Sequence, residues 1–150
     1  MKISYKHTYR HPREFVWQML QDPQVIVRTL PGCRKLHPVG EGLFETELGL
    51  DLGPVKGLFT GTVRITDVLQ PQRYRLLLHG VGKPGELSAD SAIHLLETRT
   101  GTELVCEAEA HGTGVLAGMG QRVLAGVAKI MLSRFFKNVE SAMNRLAVDL

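Results

Sequence analysis

The chain has 150 residues, of which 43% are apolar and 22% charged. That length predicts one domain spanning 1–150, able to bury a core without disulfides or structural metal, and the composition excludes a disordered chain. The net charge of +3 excludes little, but the longest stretch without Asp, Glu, Lys or Arg, 110–121, falls short of the roughly 18 residues a membrane span needs.

Residues 2–9 alternate Ile3 and Tyr5 with polar neighbours and predict a strand. Pro12 suits the first turn of a helix, and Phe15, Val16, Met19 and Leu20 follow at helical spacing through Gln21. At Asp22-Pro23 the same logic recurs: Asp caps, Pro takes the first helical position, and a short helix runs to about Thr29 before Leu30-Pro31-Gly32 stops it. From 33 to 113 the period becomes two. Phe44, Thr46, Leu48, Leu50 and Leu52 share one face; Val55, Gly57, Phe59, Gly61, Val63 and Ile65 continue it after the Gly53-Pro54 turn. Tyr74, Leu76 and Leu78 form a third run, Leu87, Ala89, Ser91, Ile93 and Leu95 a fourth, and Leu104, Cys106, Ala108 and Ala110 a fifth. Alternation with one apolar face over successive hairpin-length strands predicts an antiparallel meander buried on one side. Beyond the glycine-rich joint 112–120, Val123, Leu124, Val127, Ala128, Met131, Phe135, Val139, Ala142 and Leu146 recur at helical spacing over roughly 30 residues. On the opposite, polar side lie Arg122, Lys129, Ser133, Lys137, Glu140 and Asn144. This helix is the only element long enough to cover the sheet.

Under that helix, Val123, Val127 and Met131 face a sheet lined by Phe44, Leu48, Leu50, Phe59, Val63, Leu76, Leu78, Leu95, Leu104 and Cys106. Several inward slots hold very small residues: Gly57, Gly61, Ala89, Ser91, Ala108 and Ala110. Such residues either let sheet and helix pack closely or leave an apolar space, the usual form of a small-molecule site. Periodicity alone does not choose between the two.

The element order and local sequences resemble the START-like superfamily of helix-grip proteins (SRPBCC) and, within it, the carbon monoxide dehydrogenase G-subunit family. The resemblance rests on Pro12 with Val16-Trp17, Asp22-Pro23, Leu30-Pro31-Gly32-Cys33 and the run Gly53-Pro54-Val55-Lys56-Gly57-Leu58-Phe59-Thr60-Gly61. Gly85, Gly101-Thr102 and the segment from Gly114 through Gly120 to Arg122 complete it. It implies an α+β helix-grip fold: a curved antiparallel sheet with two short helices, wrapped around a long C-terminal helix. It also implies a deep cavity between sheet and helix that takes a hydrophobic ligand. Trp17 and Met119 join the expected wall, Leu30 the rim, and Tyr74 and Arg134 supply polar groups. For some members the resemblance implies recruitment of a molybdenum-containing dehydrogenase to the membrane. Some relatives carry a C-terminal anchor; the sequence ends at Leu150 without one, so permanent attachment is not expected.

Other chemistry finds little support. Gly112-Thr113-Gly114-Val115-Leu116-Ala117-Gly118 has the spacing GxGxxxG, one residue too long for a dinucleotide fingerprint, and no second parallel strand follows it. His79, His94 and His111 take the outward phase, and Cys33 and Cys106 lack metal-ligand spacing, so neither metal nor cofactor is expected and both thiols read as reduced. There is no GxSxG elbow and no inward pair of carboxylates, so no catalytic residue is assigned. No basic stripe interleaved with aromatics points to nucleic acid. The start of the chain lacks the apolar core of a secretion signal. Residues 117–150 hold five basic and two acidic side chains, while 1–116 hold thirteen of each; the excess charge therefore sits on the helix that covers the sheet.

The expected function is carriage of a hydrophobic small molecule: a lipid, an isoprenoid or quinone, or a polycycle. The protein is expected to be cytoplasmic, with transient contact to anionic membranes or an acidic partner. The alternative is a polyketide cyclase- or dehydratase-like enzyme, for which Arg134 and Tyr74 would orient the substrate. A third class is an adaptor for a redox enzyme.

Overall fold

The computed structural model describes residues 1–149, with side chains through Ala147; Leu150 lies outside them. Strand β1 (Lys2–Tyr9) leads into helices α1 (Arg13–Gln21) and α2 (Pro23–Thr29). Strands β2 (Cys33–Gly40), β3 (Leu43–Leu52), β4 (Val55–Leu69), β5 (Arg73–Gly82), β6 (Gly85–Glu97) and β7 (Thr102–Gly112) follow. The short α3 (Val115–Gly118) and the long α4 (Gln121–Asp149) end the described chain. Asp22 caps α2 as its type predicts, its Oδ1 accepting from the Gln24 amide at 2.9 Å with Pro23 in the first turn.

The seven strands form one antiparallel sheet in the order β1-β7-β6-β5-β4-β3-β2. Consecutive strands from β2 to β7 are neighbours, and α1 and α2 carry the chain from one edge, β1, to the other, β2. The sheet is curved, and the helices pack on its apolar face. This is a helix-grip architecture.

The predicted phase holds from β3 to β7: Phe44, Leu48, Leu50, Phe59, Val63, Tyr74, Ile93, Leu95, Leu104 and Cys106 are all buried. Strand β2 escaped the alternation rule because its pairing with β3 shifts register twice and only Cys33 and Leu36 are half-buried against the core. Most of it is exposed, and it carries Pro38, which an edge strand tolerates because one side of its backbone is unpaired. Gly61 marks a close approach of β4 to β5, since a Cβ there would collide with the His79 carbonyl.

One half of α4 is held far more firmly than the other. Phe135, Phe136, Val139 and Met143 are buried, and polar contacts flank them. The Tyr9 hydroxyl donates to the Phe136 carbonyl at 2.9 Å, His7 Nε2 to the Glu140 carboxylate at 3.2 Å, and His11 Nε2 to Asn144 Oδ1 at 2.7 Å. Tyr5 stacks on Phe136 with ring centres 5.7 Å apart. Helical spacing placed Glu140 and Asn144 on the solvent side; the structure turns them to β1 and to the turn after it. In the first half of α4 only Leu124 is buried among the apolar residues, and Val123 and Ile130 are 42% and 43% exposed.

Truncations in the two halves are therefore expected to differ sharply. Phe136→Ala should cost about 3–5 kcal/mol, and Val123→Ala less than about 0.5 kcal/mol. Urea denaturation followed by circular dichroism measures both.

Candidate functional site

Between the apolar face of the sheet and α4 lie two adjoining chambers, of about 100 Å³ and 90 Å³. Leu78, Ala89, Ala110, Ala128 and Met131 border both. Toward the start of α4 the first is closed by Leu50, Leu52, Val55, Leu87, Leu124 and Val127. Toward its middle the second is closed by Ile3, Leu30, Leu76, Leu132 and Phe135. The floor owes its depth to small side chains: Ala89 pairs with Ala110, and Ser91 with Ala108, across β6 and β7. The small inward residues thus divide into two roles. Those on β6 and β7 leave space, whereas Gly61 on β4 permits close approach.

The chamber walls are almost wholly apolar. Ser91 contributes the one buried hydroxyl, 6% exposed, and Ser88 and His111 stand at the margin of the first chamber. Larger depressions of about 470 and 490 Å³ lie over the sheet's outward-facing residues, such as Arg64, Asp90 and His111, and around Asp67, Arg73 and His94. Their charged linings suit water better than an apolar ligand.

Six of the residues expected in the lining border the chambers: Leu30, Leu50, Leu76, Leu78, Val127 and Met131. Trp17, Phe44, Leu48, Phe59, Val63, Tyr74, Leu95, Leu104 and Cys106 are buried in the packing beneath and beside them. Trp17 meets Tyr74 edge-on with ring centres 5.4 Å apart, the geometry of a packed aromatic pair. Met119 packs part-buried against the core in the joint before α4, where Gly120, at φ +88, turns the chain into the helix. Val123 and Arg134 stand on α4 away from the chamber linings, the first exposed and the second exposed as well. Sequence reasoning gave no site role to Ile3 or Leu132. Ile3 belongs to a strand distant in sequence, and Leu132 sits one turn beyond Ala128, a continuation the helical spacing already contained.

Three buried acids are held neutral. Burial pushes the Cys106 thiol up to about 12, with the Glu107 charge adding to this and a hydrogen bond from Ser91 opposing it. Burial likewise raises the phenols of Tyr74 and Tyr9 well above their ordinary value. Among the described residues no group of three or more His, Cys, Asp or Glu side chains is placed to hold a metal ion. No helix among them is long and apolar enough to cross a membrane.

The family model described as the carbon monoxide dehydrogenase G subunit (CoxG) matches residues 7–144. The chain belongs to the CoxG family. Its fold is shared with a solved structure of a conserved protein from Geobacillus kaustophilus, at 32% identity and TM-score 0.89, covering 96% of this chain and 94% of that one. A START superfamily protein from Mycobacterium smegmatis superposes with TM-score 0.74 at 10% identity, covering 97% and 98%. A protein from Chromobacterium violaceum does so with TM-score 0.71 at 16% identity, covering 94% and 95%. At those lower identities the likeness is one of fold alone. No curated protein sequence matches the chain. Family and fold together are those of a ligand-binding helix-grip protein. The deep cavity that the resemblance implied is narrower in this CoxG-family chain: each chamber is smaller than the roughly 150 Å³ apolar cavity that admits one benzene.

The buried acids set an alkaline limit. A folded pKa above the unfolded one favours folding below the unfolded value, about 8.5 for Cys and 10 for Tyr. That contribution is lost as pH rises through the interval between the two values. Stability is therefore expected to fall progressively above about pH 9. At pH 8 a thiol reagent should modify half-buried Cys33 quickly and buried Cys106 only after denaturant is added. Mass spectrometry of the labelled protein reads the order.

Proposed function

We propose that this CoxG-family protein binds and carries a hydrophobic small molecule between the sheet and the first half of α4. The observation that carries this reading is the coincidence of two apolar chambers with the loosely held half of the helix above them. Each chamber as it stands holds less than a small ring, and the two together fall short of a lipid-, isoprenoid- or polycycle-sized ligand, which enters by displacing that half. Met131 borders both chambers, and its unbranched side chain re-packs at low cost. Burying roughly 300 Å² of ligand would contribute about 7 kcal/mol at 25 cal/mol per Å², from which the costs of ordering the ligand are subtracted.

The lining favours a carrier over a cyclase- or dehydratase-like enzyme. Ser91 alone is a buried hydroxyl there, Tyr74 is packed against Trp17, and Arg134 is exposed. General acid–base catalysis needs a proton donor or acceptor within hydrogen-bond reach of the substrate.

Native mass spectrometry of protein purified without detergent is expected to show an added mass that organic extraction removes. Ala89→Phe and Ala110→Phe, each filling the space shared by both chambers, should abolish saturable binding of an apolar fluorescent probe. A wild-type protein with neither bound mass nor probe binding would sink the proposal, and folded variants that bind normally would place the ligand elsewhere.

Delivery to a redox enzyme at the membrane is the further part of this reading. Val115, Val123 and Ile130 are exposed on α3 and the free half of α4, and Arg122 and Lys129 stand among them in sequence. This combination suits a brief, salt-sensitive encounter with an anionic bilayer. Sedimentation with phosphatidylglycerol vesicles should weaken at high salt and vanish with neutral lipid; binding indifferent to both contradicts it.

A further inference from the structure

A separate groove of about 480 Å³ runs between α2 and the C-terminal half of α4, on the firmly held side of the molecule. Met19 and Val25 are recessed in it, 6% and 4% exposed, and Leu146 stands at one end, 45% exposed. Its width comes from Ser141 and Ala142, small side chains facing α2. The helices are fixed relative to each other by Asn138 Nδ2, which donates to the Thr29 carbonyl at 2.9 Å.

Both charged residues of the lining are arginines, Arg28 and Arg145, and no described carboxylate lines it. Arg28 is held in place by its own helix: Nε donates to the Gln24 carbonyl at 3.0 Å. That bond leaves both terminal nitrogens of the guanidinium directed elsewhere, and Arg28 enters no ion pair among the described residues. A fixed guanidinium loses little freedom when it takes a carboxylate through two parallel hydrogen bonds.

We propose that this groove docks an acidic, amphipathic segment of a partner protein. Its carboxylates would meet Arg28 and Arg145, and its apolar side chains would meet Ala142 and the exposed Leu146. The placement argues for a chain rather than a bilayer. A flat surface addresses protruding groups, whereas Arg28 on α2 and Arg145 on α4 border one groove, and a segment laid between the helices meets both. A small free anion would use the arginines and leave Leu146 uncovered. This inference stands apart from whatever fills the chambers.

The test is a titration of the ¹⁵N-labelled full chain with an acetylated peptide of Glu-Leu-Glu-Ala repeats, alongside the Lys-Leu-Lys-Ala counterpart. Saturable shifts at Val25, Arg28, Ser141 and Arg145 are expected with the acidic peptide only, weakening as salt rises. Arg28→Glu with Arg145→Glu, both exposed and so expected to leave the spectrum native, should lower affinity about tenfold or more. Absence of saturable shifts in the wild-type chain would overturn the proposal. So would shifts centred elsewhere, or undiminished binding by the folded double variant. Phosphatidylglycerol vesicles that perturb the groove where the peptide does not would assign the arginines to a membrane instead.

Discussion

Burying the Tyr9 hydroxyl against the Phe136 carbonyl ties the first strand to the last helix, 127 residues apart in sequence. His7 with Glu140 and His11 with Asn144 extend the attachment to either side along β1 and the turn after it. His7, Tyr9 and His11 are two residues apart along the chain and Phe136, Glu140 and Asn144 four apart along the helix, but the order is not kept, since Tyr9 reaches the turn before the one that His7 meets. Bonds of this kind contribute about 1 kcal/mol each. Their larger effect is geometric: they fix which turn of α4 lies on which strand, and the apolar side chains of Phe135, Val139 and Met143 supply the burial.

Because the attachment is confined to the second half of α4, the first half spans the sheet without equivalent support. Of its apolar residues up to Ile130 only Leu124 is buried, while Val123 and Ile130 face solvent. The chambers lie beneath this segment because Ala89, Ser91, Ala108 and Ala110 are too short to fill the gap from below. Leaving apolar walls incompletely packed forfeits dispersion energy. A ligand that fills the space recovers that energy, so binding and the seating of the helix are coupled. A helix gripped along its whole length would oppose entry, and one gripped nowhere would not define a cavity.

Much of this was legible in the sequence because one-sided burial leaves a periodic trace. The phase of β3 to β7 could be read residue by residue, as could the cap and proline that start α2. Strand β2 left no such trace, since register shifts at Cys33–Lys35 and Pro38–Gly40 break its period and only Cys33 and Leu36 reach toward the core. In α4 the apolar stripe was visible, but spacing cannot distinguish the buried Phe135 from the exposed Val123; which half is gripped depends on a partner strand at the other end of the chain. For the same reason His7 and Glu140 could not be paired from sequence. Site dimensions were illegible for a different reason: an alanine facing a helix is compatible with contact or with space, and only the height of Leu78 and Met131 around it decides.

The net charge also changes meaning once it has positions. The 29-residue α4 is about 43 Å long at 1.5 Å per residue, several times the roughly 8 Å over which charge is felt at physiological salt. Arg122 and Lys129 toward one end are therefore screened from Arg145 near the other, with Arg134 and Lys137 standing between them. The first pair flanks exposed Val123 and Ile130 above the chambers. Arg145 faces α2 across a groove with Arg28. The two ends differ in structure: at one, a weakly packed segment stands over apolar space, and at the other the helices bordering the groove are tied by Asn138 and Thr29.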